Sequence, residues 1–367
     1  MILMNDFKAE PAELRERMVT AVRRVFDSGW YILGKELSNF EAEWARQCGT
    51  AHALGVGNGM DAIEIALRGL GIGPGDEVIT TSMTAFASVL AIVRAGATPV
   101  LADIDAETAL LSAASVERCI TPRTKALLLV HLYGQVRDMD AWVALCSQRN
   151  IHLVEDCAQA HLASWGGRSA GGFGSAAAFS FYPTKNLGAI GDGGMLVTND
   201  QALAVRAAQL RNYGQSVRYH HPVIGLNSRL DEIQAAILGE RLAYLPAFTA
   251  RRREIAVQYR ASIRNPLLTQ LAPAQEDAAH VHHLYVLQCT QRDDLIAHLA
   301  RSGVQSLVHY PVPVHAQESC PDIARDPAGL PNTEHHAATC LSIPCHPQMA
   351  EADVEAVANA LNAFSPS

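Results

Sequence analysis

The stretch AAFSFYPTKNLGAIGDGGMLVTND, residues 177–200, contains two apolar runs separated by a lysine and a glycine-rich segment. The upstream runs KALLLVHLYG at 125–134 and IHLVEDCAQAH at 151–161 are also apolar over most of their length. Continuous rather than alternating hydrophobicity is typical of strands that are covered on both faces. These runs therefore predict neighbouring strands of a mostly parallel sheet.

Amphipathic helical segments alternate with the apolar runs between residues 50 and 200. Two apolar stripes at helical spacing are predicted to face the core, namely Ile63, Ala66, Leu67 and Leu70 in one and Met139, Trp142, Val143 and Cys146 in the other. Alternating strands and helices predict an α/β fold in which helices cover the sheet.

The chain changes character in its last third. A helix-rich stretch from Ser228 to Arg264 is followed by the proline-containing segment NPLLTQLAPAQ at 265–275, and then by HHLYVLQC and two amphipathic helices. This order predicts a smaller α+β domain. We expect a large domain over 1–245, with the segment 1–30 packing near the small domain, and a small domain over 246–367.

Composition disfavours several classes of partner. The 367 residues are 49% hydrophobic and 18% charged with a net charge of -8, so the chain has no basic field to hold nucleic acid or an anionic membrane. No apolar stretch approaches the ~20 residues that span a bilayer, and the N-terminus is too charged for a secretory leader. The eight cysteines are scattered, as expected of reduced thiols, and the histidine spacing predicts no metal site. We expect a cytoplasmic protein.

Lys185 follows the first apolar run directly. A lysine that is partly desolvated at the end of a buried strand can be neutral enough to form an imine with an aldehyde cofactor. Glu155 and Asp156 end another run, and one of them should point into the crevice beyond the strand ends. A carboxylate there can keep a pyridine nitrogen protonated. The alternatives are a solvated lysine and an ordinary helix-capping aspartate.

The segment GVGNGMDAIEIAL at 55–67 places glycines just before an amphipathic helix. The free N–H groups and the positive dipole end of such a helix can hold a phosphate, and Ser180 could add a hydroxyl group. The segment lacks the Lys-Ser/Thr ending of a P-loop and the spacing of a dinucleotide fingerprint. A plain helix cap is the alternative.

Eight motifs occur in a fixed order: GNGMDA, GIGPGDEVITT, HLYGQ, EDCAQAH, SFYPTKNLGAIGDGG, LRNYG, GLNSRLDEIQAA and HYPVPVH. Together they strongly resemble the sugar aminotransferases of the DegT/DnrJ/StrS group, which are fold-type I pyridoxal-phosphate (PLP) enzymes. The resemblance extends from SGWYILGKELSNFE to LSIPCHP, and so through nearly the whole chain. It implies a large domain with a mostly parallel seven-stranded sheet flanked by helices, and a smaller α+β C-terminal domain.

The resemblance also implies roles for individual residues. Lys185 would bind the cofactor as an imine, Asp156 would pair with its pyridine nitrogen, and Gln159 would contact its ring region. The phosphate cup would consist of Gly59, Met60 and Ser180. Met60 stands where the group often has threonine or serine, and so would offer only its backbone N–H.

The sequence departs from the family pattern at two further positions, and the resemblance implies one contact between subunits. Ala85 stands where an aromatic residue often stacks on the cofactor, so we assign the stacking to its neighbour Phe86, and Leu162 replaces a frequent glycine. Asn227 would reach the phosphate of the partner subunit's cofactor, which implies a homodimer with active sites at the interface. The alternative is that Asn227 or Ser228 caps the helix SRLDEIQAA.

The implied reaction has two halves. L-glutamate would leave its amino group on the cofactor as pyridoxamine phosphate, and a keto sugar linked to a nucleotide diphosphate would then accept it. Lys185 would move a proton between the donor's α-carbon and the cofactor's C4′ carbon. Related sugar dehydratases carry histidine at this position, so the lysine favours transamination.

The substrate is predicted from one segment. LRNYGQSVRYHHPVIGLNSRLDEIQAA at 210–236 most resembles enzymes that aminate dTDP-linked 3-keto-6-deoxyhexoses, which serve surface polysaccharides or glycosylated natural products. The candidate substrate contacts are Tyr31, His220, Arg229, His309 and Tyr310. The alternatives are a 4-keto or UDP-linked sugar, and a non-catalytic sensor of PLP or sugar. An NAD-dependent epimerase or dehydrogenase would need a G-x-G-x-x-G fingerprint, which the sequence lacks.

Overall fold

A large mixed sheet forms the centre of the fold in the computed structural model, which describes residues 1–366. The strands are β1 His52–Val56, β2 Glu77–Thr81, β3 Thr98–Ala102, β4 Thr124–Val130, β5 His152–Asp156, β6 Ser164–Trp165, β7 Arg168–Ser169, β8 Ala176–Ser180, β9 Gly194–Thr198, β10 Thr269–Gln270, β11 Tyr285–Gln288, β12 Ala324–Arg325 and β13 Cys340–Ile343. Eight of them form the large sheet in the order β1-β9-β8-β5-β4-β2-β3-β12.

The large sheet is mostly parallel, as predicted. Only β9 runs against its neighbours, pairing antiparallel with β1 and β8, whereas the strands from β8 to β12 all pair in parallel. The predicted count of seven strands was one too low. The additional strand is β12, whose two residues extend the sheet at the β3 edge.

Twelve α-helices connect or cover the strands within the described residues. They are α1 Ala12–Ser28, α2 Lys35–Cys48, α3 Gly59–Gly69, α4 Phe86–Arg94, α5 Ala113–Cys119, α6 Met139–Arg149, α7 Gln201–Leu210, α8 Glu232–Leu242, α9 Leu245–Ser262, α10 Arg292–Arg301, α11 Pro331–Thr339 and α12 Glu351–Asn362. Within residues 1–366, none of these helices has the length and apolar character required to cross a membrane.

The central strands are buried because helices cover the sheet. Every residue of β2 and β9 is buried, which accounts for their continuous hydrophobicity. On α3, Ile63, Ala66 and Leu67 are buried as predicted. The prediction for Val143 on α6 was wrong, since this residue is 37% exposed. The buried face of α6 is narrower than the apolar stripe that the sequence shows.

A smaller antiparallel sheet, in the order β10-β11-β13, packs with α9, α10 and α12 around a separate core. The segment after residue 313 returns to the large sheet, where Val314 and Leu330 pack against Val89 and Leu101. The continuous small domain predicted over 246–367 therefore has an excursion onto the large sheet. The position of the boundary at residue 245 stays a prediction.

The N-terminal segment contacts both parts of the fold. The Ile2 N–H donates to the carbonyl oxygen of Gly303 at 2.7 Å, and the Met4 N–H donates to Gln305 Oε1 at 2.8 Å. Further along, Ala21 and Val25 of α1 pack against Ala236 of α8. The first residues thus lie against the segment that follows α10, while α1 lies against α8.

Candidate active site

The carboxyl ends of β5 and β8 bring together the residues that the sequence singled out. Ligands of parallel α/β sheets collect at this edge, because the loops that leave the strand ends form a crevice there. Asp156 is the last residue of β5 and Ser180 the last of β8, with Lys185 five residues further on. The two strands pair in parallel, with Asp156 opposite Ala178.

Asp156 is buried and held by two hydrogen bonds. The Ser88 hydroxyl donates to Asp156 Oδ2 at 2.7 Å, and the Ala158 N–H donates to Asp156 Oδ1 at 3.1 Å. Ser88 lies in the first turn of α4, and its oxygen is also 2.9 Å from the Thr84 hydroxyl. This chain of hydroxyl groups fixes the orientation of the carboxylate.

Glu155 has a structural role on the opposite side of β5. Its carboxylate is fully buried and accepts backbone N–H bonds from Gly171, Phe173 and Gly174 at 2.8–2.9 Å. It is also 3.0 Å from His131 Nε2. Burial alone would raise the pKa of Glu155, but the hydrogen bonds from His131 and from the backbone outweigh burial and lower it. Of the two adjacent carboxylates, only Asp156 is therefore left for the crevice.

Lys185 lies in the turn after β8, where its N–H donates to the carbonyl oxygen of Tyr182 at 2.8 Å. The side chain is half-buried. Burial lowers the pKa of Lys185 to about 8, although the negative charge of Asp156 opposes the shift. A lysine with this pKa is neutral in roughly a tenth of the molecules at pH 7, far more than a lysine of ordinary pKa, and only the neutral amine is nucleophilic.

Three histidines around Lys185 are held neutral. Burial, with the nearby Lys185 charge as the next cause, lowers the pKa of His161 to about 3 and that of His309 to about 4. The pKa of His283 is lowered well below its usual value by the same two causes. His161 packs among Trp44, Phe179 and Phe181. These three rings therefore add no positive charge next to Lys185.

The N-terminus of α3 lies against the end of β8. Asn58 caps the helix by accepting the Asp61 N–H at 2.9 Å, so the predicted cap is present. The N–H groups of Gly59 and Met60 are at the first positions of the helix, where no intrahelical acceptor exists. A methyl group on Gly59 would lie 2.8 Å from Ser180 Cβ, so glycine permits this close approach.

Gln159 joins the sheet edge to the segment that follows α10. Its Oε1 accepts the Tyr133 N–H at 2.6 Å, and its Nε2 donates to the Tyr310 hydroxyl at 3.2 Å. Tyr133 in turn donates its hydroxyl to the carbonyl oxygen of His309 at 2.6 Å. Burial, and then the Asp156 charge, raise the pKa of Tyr310 to about 12, so the phenol stays protonated. Tyr310, a predicted substrate contact, therefore lies on the Gln159 side of the site.

The other predicted contacts lie on an exposed surface at one side of this edge. Asn227 is exposed and forms an isolated bridge with Asn212. Arg229 donates to Asn212 Oδ1 at 3.1 Å, and its guanidinium lies 5.1 Å from the centre of the Tyr213 ring. In the described chain, the side chains of Asn227 and Arg229 form no hydrogen bond with Lys185, Asp156 or Gln159.

Three more predicted residues are also solvent-exposed. Phe86 begins α4 and is 37% exposed, Tyr31 is 49% exposed, and His220 lies in a turn of the loop between Asn212 and Asn227. The capping alternative for the segment at 227–236 was wrong. Helix α8 begins at Glu232, and the Ser228 hydroxyl donates instead to Asp61 Oδ2 at 2.7 Å.

Three site residues were missed in the sequence, namely Ser88, Tyr133 and His161. Ser88 lies three residues after Ala85 in the segment SMTAFAS, and Tyr133 and His161 lie inside the motifs HLYGQ and EDCAQAH. Each motif therefore marked the right neighbourhood. The contacts themselves join residues that are far apart in the chain, so no local pattern could identify them.

These residues fit PLP. A half-buried lysine of lowered pKa suits the aldehyde, a buried carboxylate suits the pyridine nitrogen, and the free N–H groups of α3 beside Ser180 suit the phosphate. The close packing of Gly59 on Ser180 is what brings the last two groups together. Bound PLP supplies an electron sink for the substrate's carbon–hydrogen bond.

Comparisons with known proteins agree with this geometry. Residues 12–362 match the model of the DegT/DnrJ/EryC1/StrS aminotransferase family. The chain is 48% identical over 344 residues, or 94% of its length and 91% of the relative's, to a dTDP-3-amino-3,4,6-trideoxy-alpha-D-glucose transaminase from Streptomyces venezuelae. It is 43% identical, over 99% of both chains, to a dTDP-3-amino-3,6-dideoxy-alpha-D-galactopyranose transaminase from Aneurinibacillus thermoaerophilus.

A solved structure is similar throughout. The crystal structure of S. venezuelae DesV in complex with a ketimine intermediate has a TM-score of 0.94 and 47% sequence identity, covering 99% of this chain and 97% of that one. The predicted resemblance is thereby confirmed for the fold as well as the sequence.

Proposed function

This chain belongs to the DegT/DnrJ/EryC1/StrS aminotransferase family, and on that premise we propose that it transfers an amino group from L-glutamate to the 3-keto group of a dTDP-linked 6-deoxyhexose. The enzyme is an aminotransferase that uses PLP. The observation that supports the proposal best is the position of Lys185, half-buried with a pKa of about 8, at the same sheet edge as Asp156.

Lys185 and Asp156 divide the chemistry between them. With PLP bound, the Lys185 amine would carry the proton between the α-carbon of the donor and C4′ of the cofactor, and the same amine would serve the sugar in the reverse direction. Asp156 holds a proton on the pyridine nitrogen, because a carboxylate stabilises a cation that it contacts. Ser88 keeps the Asp156 carboxylate oriented through its 2.7 Å hydrogen bond.

The remaining groups bind and orient. Gly59 and Met60 offer backbone N–H groups and Ser180 a hydroxyl group to the cofactor phosphate, at the positive end of α3. Gln159 contacts the ring region, with its amide oriented by Tyr133 and Tyr310. Phe86 stacks on the cofactor ring, a role that its exposure at the start of α4 permits.

We assign the substrate and the partner subunit to the exposed surface beside the site. Asn227 binds the phosphate of the partner's cofactor, so the active unit is a homodimer. Arg229 and His220 bind the carboxylate of glutamate or the diphosphate of the sugar, because both substrates need cationic or N–H donors. Tyr31 and His309 contact the sugar. The exposure of Asn227, Tyr31 and His220 in the single chain supports these assignments.

Because the proposed substrate is a nucleotide sugar, we propose that the enzyme works in the cytoplasm. All eight cysteines are free thiols, seven of them buried, as expected of a chain that folds in a reducing compartment.

The experiment that tests the proposal has two parts. The absorption spectrum of the purified PLP-loaded enzyme is recorded before and after adding L-glutamate, which should remove the visible band of the lysine-bound cofactor and release 2-oxoglutarate. The glutamate-treated enzyme is then offered a dTDP-3-keto-6-deoxyhexose, a dTDP-4-keto-6-deoxyhexose and a UDP-linked 3-keto sugar. The proposal expects the first sugar to restore the band and give an amino sugar by mass spectrometry.

The other outcomes are informative. A band that glutamate does not alter would contradict the donor and favour a sensor of PLP. Restoration only by the 4-keto or the UDP-linked sugar would replace the proposed substrate but keep the reaction class.

A further inference from the structure

A cavity lies between α9 and the segment 271–286. Its volume is about 630 Å³, within the roughly 300–1,000 Å³ of small-molecule sites. Apolar side chains of Val257, Leu271 and Leu284 form part of its wall. Neither Lys185 nor Asp156 lines this cavity, and the proposed reaction leaves it without a role.

Two half-buried arginines line the cavity without a carboxylate partner. Arg253 donates to the carbonyl oxygens of His280 and Ala278, each at 3.0 Å, and Arg260 donates to the carbonyl oxygen of Leu271 at 2.9 Å. Among residues 1–366, neither guanidinium lies within 4.0 Å of a carboxylate oxygen. Since desolvated cations are normally paired, two unpaired guanidinium groups favour an anion in the cavity.

Neither carboxylate at the cavity forms an ion pair with these arginines, although the charge of Asp277 acts on Arg253 from the rim. Glu254 and Asp277 are both exposed residues at the rim. Glu254 is already paired with Arg251, with 3.3 Å between the charged atoms. The positive charge of the half-buried wall therefore has no compensating charge at the same depth.

Gln135 adds a buried amide to the same wall. The residue is 3% exposed, and its side-chain Nε2 has no hydrogen-bond partner. Buried polar groups in native proteins are nearly always hydrogen-bonded, so an unpartnered amide at a cavity wall indicates a missing partner. The carboxamide can turn to present its NH₂ group, so Gln135 can donate to an oxygen atom in the cavity.

A ladder of aromatic rings forms another wall. The rings of His280 and His282 stack with centres 3.8 Å apart and an angle of 16°, and the Tyr285 ring follows at 6.0 Å and 26°. Burial lowers the pKa of His280 to about 3 and that of His282 well below its usual value, so both rings are neutral. Neutral rings in a stack are suited to pack against a further planar ring.

We propose that the cavity between α9 and the segment 271–286 binds a small aromatic carboxylate, with its ring against the His280–His282 stack and its carboxylate at Arg253 and Arg260. Gln135 donates a further hydrogen bond to the carboxylate. The site is independent of the substrate proposed above, because it shares no residue with the glutamate or sugar contacts.

The cavity adjoins the active site through one residue. Tyr133 lines the cavity, and its own N–H holds Gln159 Oε1 at 2.6 Å. The absorption spectrum of the bound cofactor is therefore a convenient second readout of occupancy.

The test uses the PLP-loaded enzyme and a matched pair of probes, 2-naphthoate and the neutral 2-naphthamide, in calorimetric titrations. We expect 2-naphthoate to bind at one site per chain, and 2-naphthamide to bind about tenfold more weakly or worse, since a charge-assisted hydrogen bond is lost. Arg260→Met should weaken binding of 2-naphthoate by a similar factor. Arg264→Met removes a guanidinium just beyond the end of α9 and outside the cavity, and should leave binding unchanged.

A second pair of variants covers the case in which Arg260→Met fails to fold. Gln135→Glu places a negative charge at the wall and should abolish 2-naphthoate binding, whereas Gln135→Met should weaken it only modestly. Absence of binding at millimolar 2-naphthoate, equal affinity for both probes, or loss of binding in Arg229→Met would overturn the proposal. The last result would mean that the probe enters the active site instead.

Discussion

The Ser88 hydroxyl donates a 2.7 Å hydrogen bond to Asp156 Oδ2, across 68 residues of sequence. It connects the first turn of α4 with the end of β5, so the carboxylate proposed for the cofactor nitrogen is oriented by a neighbouring helix. A charged carboxylate that lost this bond would remain buried but less firmly placed.

Ser88→Ala should therefore lower kcat by about tenfold, since a hydrogen bond to a charged group contributes about 1.5–3 kcal/mol and only part of it bears on the transition state. Ser88→Thr keeps the hydroxyl group and should retain most of the activity. Steady-state kinetics of both variants checks the prediction. A wild-type kcat in Ser88→Ala would show that the Ser88 hydrogen bond is not required to orient the Asp156 carboxylate.

Lys185→Ala should abolish turnover, because no other amine is available to carry the proton between the two carbon atoms. We expect the variant to retain PLP, since the groups that bind phosphate and ring are intact, but to lack the visible band of a lysine-bound cofactor. Activity assays and spectra of the dialysed protein provide the check. An alanine variant with measurable sustained turnover would sink the assignment of Lys185.

The rate at which the apoenzyme takes up PLP through Lys185 should depend on pH. The pKa of Lys185 is lowered from its usual value to about 8, so the neutral amine accumulates as pH rises through 8 and not through 10.5. The uptake rate should rise to a plateau above pH 8. His309, with a pKa of about 4, is neutral throughout this range, so His309→Asn should keep the same midpoint. A midpoint near 10 in stopped-flow absorbance would contradict the burial of Lys185.

Glu155→Gln should destabilise the fold by about 1–3 kcal/mol. Each carboxylate oxygen accepts two hydrogen bonds, and the glutamine NH₂ would face donors on one side. Urea denaturation measures the free energy of unfolding. Glu254→Gln changes a carboxylate whose side chain is 62% exposed and should alter stability by less than about 0.5 kcal/mol. An equal loss of unfolding free energy in Glu155→Gln and Glu254→Gln would mean that the buried hydrogen bonds of Glu155 contribute nothing to stability.

Asn227 can be tested by complementation between subunits. Asn227→Ala alone should weaken PLP retention in the homodimer. In mixed dimers of Asn227→Ala and Lys185→Ala chains, one site would carry both defects and the other neither, if Asn227 acts across the interface. The visible band of the lysine-bound cofactor reports only the site that has Lys185, and we expect mixed dimers to keep this band after dialysis as the wild type does. Loss of the band from mixed dimers as readily as from Asn227→Ala dimers would show that Asn227 serves its own subunit.

Local patterns predicted the strand ends well. Lys185 and Asp156 were recognisable because each follows a continuous apolar run, and a parallel sheet collects such residues at one edge. Val143 was placed wrongly in the core, because its spacing fits a helical stripe but says nothing about how wide a face the sheet covers. The short β12 was missed because two residues carry no periodic signal, and only the packing of Val314 and Leu330 brings them to β3.

The sequence by itself determined the family, the cofactor class and the candidate reactive residues, because each depends on residue types in a fixed local order. Tertiary structure decided what surrounds those residues. It turned Glu155 away from the crevice, placed the Ser88 hydroxyl on Asp156, and joined Gln159 to Tyr310, 151 residues further along the chain. Burial then set the pKa of Lys185, since desolvation arises from atoms that are distant in the chain and adjacent only after folding.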